Sequence, residues 1–91
     1  MIYKILILKK ADDDLAWFRK NDKQSYVKCF NLVRDTSEHP RDGLGKPERL
    51  KYFENEVWSR RINDVDRMIY TIMMMLNKLM FRLLKVITNN Y

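Results

Sequence analysis

The chain has 91 residues, enough for one domain (residues 1–91) around a single core and too few for a cofactor-binding unit beside a separate substrate unit. Eighteen Lys and Arg stand against twelve Asp and Glu, giving a net charge of +6 and a pI near 9.6, which favours nucleic acid or an acidic protein as partner. The single cysteine, Cys29 in "YVKCF", excludes an intrachain disulfide framework and lacks the Cys and His company of a zinc site. A reduced, cytoplasmic setting fits, with Cys29 read as a small buried apolar residue rather than a catalytic thiol.

In chain order, "MIYKILILKK" carries an apolar run too short for a signal peptide or membrane span and interrupted by Lys4, so it reads as a first strand. The period then changes: Ala11, Leu15 and Phe18 fall at helical spacing, with Asp12, Asp13 and Asp14 in the first turn, where carboxylates complement the helix dipole. Asn21 and Asp22 break that helix and can cap a second one over about residues 23–38, whose apolar stripe is read as Tyr26, Val27, Phe30 and Val33. The segment "EHPRDGLGKP" ends it with Pro and Gly, and His39 is read as a helix-terminal residue. After Pro47 come short alternating or apolar runs, "ERLKYF", "EVWSRRI", "RMIYTIMMM" and "LMFRLLKVI", separated by polar breaks. The expectation is an α+β domain of order β-α-α-β-β-β with one further strand allowed, an antiparallel sheet, and two helices packed on one face.

Charge is not evenly spread. Residues 1–40 carry eight basic and six acidic side chains, residues 41–91 ten and six, so the positive field concentrates in the second half. The block from Gly45 to Arg67 holds Glu48, Lys51, Arg60, Arg61 and Arg67. Metal-free cleavage of RNA uses the substrate's own 2′-hydroxyl, which a carboxylate can deprotonate. Guanidinium groups can then stabilise the charge that builds on the phosphate oxygens, so one carboxylate with two or three arginines is a sufficient set. Taken alone, Glu48 would more often be a solvated strand-edge carboxylate, and the arginines a charged outer sheet face paired with Glu54, Glu56, Asp64 and Asp66. Trp58 is read as core, and Met73, Met74 and Met75 as strand packing.

The segments "DDDLAWF", "NDKQSYVKCFNLVRDT", "HPRDGLGKPERLK" and "VWSRRINDVDRMIY" together resemble the YoeB (Txe) branch of the RelE superfamily of bacterial toxin endoribonucleases, over roughly residues 3–72. The resemblance implies a RelE-like fold, the toxin half of a toxin–antitoxin pair, and metal-independent cleavage of mRNA on the ribosome with no cofactor. It places Glu48 at the general-base position, Arg61 and Arg67 at the phosphate-contacting positions and Tyr91 against the substrate, with Lys51 and Arg60 as substrate-binding companions. The family ordinarily ends in a His-Tyr pair whose histidine protonates the leaving oxygen. This chain ends "VITNNY", with Asn90 at the histidine position, and an amide donates a hydrogen bond without delivering a proton. The partners implied are ribosome-bound mRNA, an acidic antitoxin of the YefM/Axe type, and operator DNA only as the toxin–antitoxin complex, with no membrane and with a homodimer left open. The alternative from another class is a weakly active or non-cleaving homologue that binds antitoxin, RNA or ribosome. A third is an interaction domain whose basic face is incidental.

Overall fold

The computed structural model describes residues 3–83. Strand β1 (Lys4–Ile7) leads into α1 (Lys9–Asn21) and α2 (Lys23–Glu38); a loop follows, then β2 (Glu48–Arg49), β3 (Glu56–Arg61), β4 (Arg67–Met73) and β5 (Lys78–Leu83). The five strands form one sheet in the order β1-β5-β4-β3-β2. Strands β2 to β5 are the expected antiparallel meander. The expectation of a wholly antiparallel sheet is corrected at β1, which pairs parallel with β5 from Lys4↔Lys78 to Ile7↔Phe81. Parallel neighbours need a long crossover, and here the helical hairpin and the whole meander supply it.

Asp22 is the capping residue that the Asn-Asp break suggested. Its carboxylate accepts the backbone N–H of Ser25 at 3.1 Å and the Ser25 hydroxyl at 2.7 Å, starting α2. The apolar stripe of α2 is the expected one only in part. Tyr26 and Val33 pack against the core, but Val27 and Phe30 are more than half exposed, and the helix buries Ser25, Cys29, Leu32, Thr36 and Ser37. Three of those five are hydroxyl residues whose polarity is satisfied locally, Thr36 Oγ1 donating to the Leu32 carbonyl at 2.6 Å, so a count of apolar residues places the buried meridian off centre. Cys29 is buried as expected, and burial pushes its thiol up to about 12.

The core lies between helices and sheet: Ala11, Phe18, Cys29 and Leu32 from the helices meet Met68, Tyr70 and Ile72 of β4 and Leu79 and Phe81 of β5, with Trp58 packed against them as expected. The alternate strand positions, including Ser59, Arg61, Arg67 and Thr71, therefore point to the face away from the helices. The β2 strand stops at Arg49, and three residues later Tyr52 takes a positive φ of 68°. Of the three methionines read as strand packing, Met73 ends β4, whereas Met74–Leu76 form a single 3-10 turn closed by Asn77 in the left-handed region, leaving Met75 97% exposed. Among the described residues no helix is long and apolar enough to cross a membrane.

Candidate active site

The hairpin between β3 and β4 sets the geometry. Asn63 Oδ1 accepts the backbone N–H groups of Val65 (2.9 Å) and Asp66 (2.8 Å), and Ile62 N–H donates to the Asp66 carbonyl, so an asparagine turn fixes the register. That register puts Arg61 directly opposite Arg67, and Ser59 opposite Ile69. On the other side of β3, Glu48 lies opposite Ser59. Opposed residues share a face and residues two apart on a strand share it too, so Glu48, Ser59, Arg61 and Arg67 occupy one corner of the sheet away from the helices. Glu48 to Arg61 is a diagonal relation, about 7–8 Å between backbones. Arg67 Nη1 donates a long hydrogen bond of 3.5 Å to Ser59 Oγ. Glu48 and Arg61 are exposed and Arg67 is half-buried.

The ion pairing expected for these arginines is not what forms. Glu56 accepts a bidentate pair from Arg41, Nε at 2.7 Å and Nη2 at 2.9 Å, and also the Trp58 indole N–H. Asp66 accepts from the Asn63 amide. Among the described residues neither Arg61 nor Arg67 has a carboxylate partner. Two like charges opposed across strands repel each other, and a phosphate between them relieves that repulsion while accepting from both forks.

Arg60 corrects the reading of it as a substrate-binding companion. It faces the helices and is 0% exposed. Its guanidinium donates to the Asp35 carboxylate at 2.6 Å, to the carbonyls of Leu44 (3.1 Å), Asp42 (2.8 Å) and His39, and through Nε to the Tyr70 hydroxyl at 3.1 Å. Tyr70 passes the chain of bonds on to the Pro40 carbonyl at 2.7 Å. Arg60 thus gathers the loop between α2 and β2, the segment that delivers Glu48. His39 closes α2 as expected, and Gly45 completes the approach: its carbonyl accepts the Arg61 N–H at 2.7 Å, its φ is +78°, and a Cβ there would meet Leu32 Cδ2 at 2.7 Å.

Asp35 is drawn two ways: partial burial pushes its carboxyl up, while the Leu44 N–H and Arg60 hold it down, and the net direction is downward. Glu56 is also held below its ordinary range, first by the Arg41 hydrogen bonds. A depressed folded-state value contributes stability above the unfolded carboxylate range, lost as pH falls through the folded value. The expected result is that resistance to urea falls below about pH 4, and that Asp35→Asn, though less stable at neutral pH, shows a shallower fall. Denaturation midpoints between neutral and strongly acidic pH check this; identical slopes would remove Asp35 from the acid response.

Lys51 is exposed in the loop after β2, and no register ties it to Arg61 or Arg67. Asn90 and Tyr91 lie outside the described residues. The last described position of β5, Leu83, is opposite Ile69, completing the row Glu48, Ser59, Ile69, Leu83 across four strands. Ser59, absent from the sequence reading, is the group at the centre of the corner; its place between Trp58 and the two arginines on alternating positions was the available signal. Among the described residues no group of three or more His, Cys, Asp or Glu side chains could hold a metal ion.

Proteins similar to this chain in sequence and in shape agree with one another. The family described as the YoeB-like toxin of bacterial type II toxin–antitoxin systems matches residues 8–85. Toxin YoeB of Synechocystis is 41% identical over 69 residues, covering 76% of this chain and 80% of that protein. The YoeB dimer from Staphylococcus aureus superposes with a TM-score of 0.83 at 30% identity, over 96% of this chain and 99% of its own. The YoeB–YefM complex from the same organism gives 0.80 at 28% identity, again over 96% and 99%. With the match spanning helices, sheet and the arginine corner alike, the chain belongs to the YoeB family of toxins from bacterial type II toxin–antitoxin systems.

Proposed function

We propose that this toxin is a ribosome-dependent, metal-independent endoribonuclease acting on mRNA. The observation that carries the reading is the cross-strand juxtaposition of Arg61 and Arg67, without a carboxylate partner among the described residues, beside Glu48. In the step proposed, Glu48 takes the proton of the substrate 2′-hydroxyl and the freed oxygen attacks the adjacent phosphorus. The bond from phosphorus to the 5′-oxygen breaks, leaving a 2′,3′-cyclic phosphate on one fragment. Arg61 and Arg67 hold the phosphate oxygens as charge grows on them, and the departing 5′-oxygen takes up a proton. Lys51 and Tyr91 bind the strand. Purified toxin, stripped by dialysis against a chelator before it is added, should cut mRNA on programmed ribosomes as fast as untreated toxin and leave free mRNA intact. Loss of cleavage by the stripped toxin that an added metal ion restores, or equal cleavage of free mRNA, would overturn the reading.

The donor for the 5′-oxygen is the point at which this chain departs from its family, because Asn90 stands at the histidine position. Asn90→His should raise the single-turnover rate by about 10²-fold, the lower range for a positioned acid, and the gain should follow the imidazole pKa near pH 6.5. Equal rates at every pH would mean that another group supplies the proton. The asparagine at position 90 also favours a second reading, a toxin that binds more than it cleaves. Growth arrest on expression in a bacterial host separates the two, since a binder leaves growth unchanged.

The partner proposed is an acidic antitoxin segment, supported by the net charge of +6 and by the YoeB–YefM complex formed by a structural neighbour. Such a segment folds on binding and covers Glu48, Arg61 and Arg67, and operator DNA is bound by the pair rather than by the toxin alone. Self-association into a dimer, as in the Staphylococcus aureus neighbour, belongs to the same proposal.

A further inference from the structure

The far end of the same sheet face carries a second set of features that the cleavage chemistry does not use. Counting along β4 from Arg67, the positions on this face are Ile69, Thr71 and Met73, so the face runs about 20 Å from the arginine corner to its other end. There a chamber of about 310 Å³ is lined by Thr71, Met73, Met74, Met75, Met80 and Asn55, within the range of about 300–1,000 Å³ typical of small-molecule sites. Met80 belongs to this face because it pairs with Thr71. Thr71 is only 4% exposed, and among the described residues neither its hydroxyl nor the Asn55 amide has a hydrogen-bond partner.

The charges beside the chamber repeat the pattern of the corner. Met73 pairs with Lys78, and Lys78 pairs with Lys4, so two ammonium groups are opposed across adjacent strands on the chamber's own face. Among the described residues neither lysine has a carboxylate partner. An apolar chamber with two free hydrogen-bonding groups, flanked by an opposed cation pair, suits a flat aromatic ring attached to a phosphate. Thioethers are soft and polarisable and make favourable contacts with aromatic rings, while a primary amide can donate to and accept from a base edge.

We propose that this chamber is a nucleobase subsite for the RNA strand whose scissile phosphate lies between Arg61 and Arg67. The base a few nucleotides away enters between the methionines, Thr71 and Asn55 read its edge, and Lys4 and Lys78 take the neighbouring phosphate. The inference rests on the cleavage function proposed above and deepens it, because it makes sequence preference depend on a nucleotide remote from the cut.

The test uses mRNA-programmed ribosomes in which one nucleotide at a time, on either side of the scissile bond, is made abasic. Cleavage efficiency, kcat/KM, is then measured for wild type, for Thr71→Val, which keeps the shape and removes the hydroxyl, and for a double Met74→Ser, Met75→Ser variant. Met74 and Met75 are exposed, so their replacement leaves the core intact, and a thermal melt of each variant confirms folding. Stacking on side chains predicts a loss of about tenfold at one remote position in wild type. The double variant should lose most of that sensitivity, and Thr71→Val should flatten base preference at that position alone. A flat abasic profile with cleavage intact, or the same sensitivity in the double variant, overturns the subsite and leaves the nuclease reading standing. Absence of cleavage at every position, with Asn90→His as well, overturns both.

Discussion

Glu48→Gln should slow cleavage of ribosome-bound mRNA by about 10²- to 10⁴-fold while leaving the melting temperature close to wild type. The side chain is exposed on the short edge strand β2 and makes no described hydrogen bond that the amide would lose, so the change removes basicity and little else. Substrate affinity should hold or rise, since a negative charge near the phosphate is removed, and the loss should appear in kcat. Arg67→Lys supplies the matched control for the other half of the site: its charge is kept, but a point ammonium cannot reproduce a guanidinium fork bridging phosphate oxygens. Single-turnover rates on one defined message separate the outcomes. Unchanged cleavage by Glu48→Gln would remove the carboxylate from the mechanism, and full activity of Arg67→Lys would make that arginine an ordinary surface cation.

Arg60→Met should lower stability by about 3–5 kcal/mol, the usual cost of removing one partner of a buried ion pair, which for a chain of this size is roughly 15–30 °C in melting temperature. Methionine fills much of the volume, so the loss is electrostatic: the Asp35 carboxylate and the carbonyls of His39, Asp42 and Leu44 lose their shared donor together. The loop that holds those carbonyls leads directly to Glu48, and the variant should also show faster proteolysis between α2 and β2. Adding Asp35→Asn should restore part of the loss, because the uncompensated charge is then gone. A melt within a few degrees of wild type would mean that water replaces the guanidinium without cost.

Most of the architecture was legible because it depends on local chemistry. The switch from alternating to helical spacing after Lys10, the Asp22 cap and the Gly and Pro break before β2 each mark an element within a few residues of where it lies. What was illegible is non-local. Nothing in "YKILIL" says that its neighbour will be β5 rather than β2, because the pairing is decided by how a crossover packs. Arg60 and Arg61 are adjacent and alike in sequence, yet a strand sends successive side chains to opposite faces. One therefore becomes a buried strut and the other an exposed cation. The phase of that alternation is set by the Asn63 turn, visible only once β3 and β4 are paired.

The parallel seat of β1 beside β5 carries a consequence for how the protein comes into being. Lys4 and its partner Lys78 are separated by almost the whole chain, and at bacterial elongation rates of about 5–20 residues per second the first strand waits roughly 4–15 s for its neighbour to be made. During that interval Ile5, Leu6 and Ile7 form an apolar ribbon with neither edge occupied, a condition that invites capture by other strands or chaperones. The sheet can be completed only when its last strand has emerged from the exit tunnel. A toxin built in this order stays incomplete while its own message is still being read, so no copy can act before its own synthesis is finished.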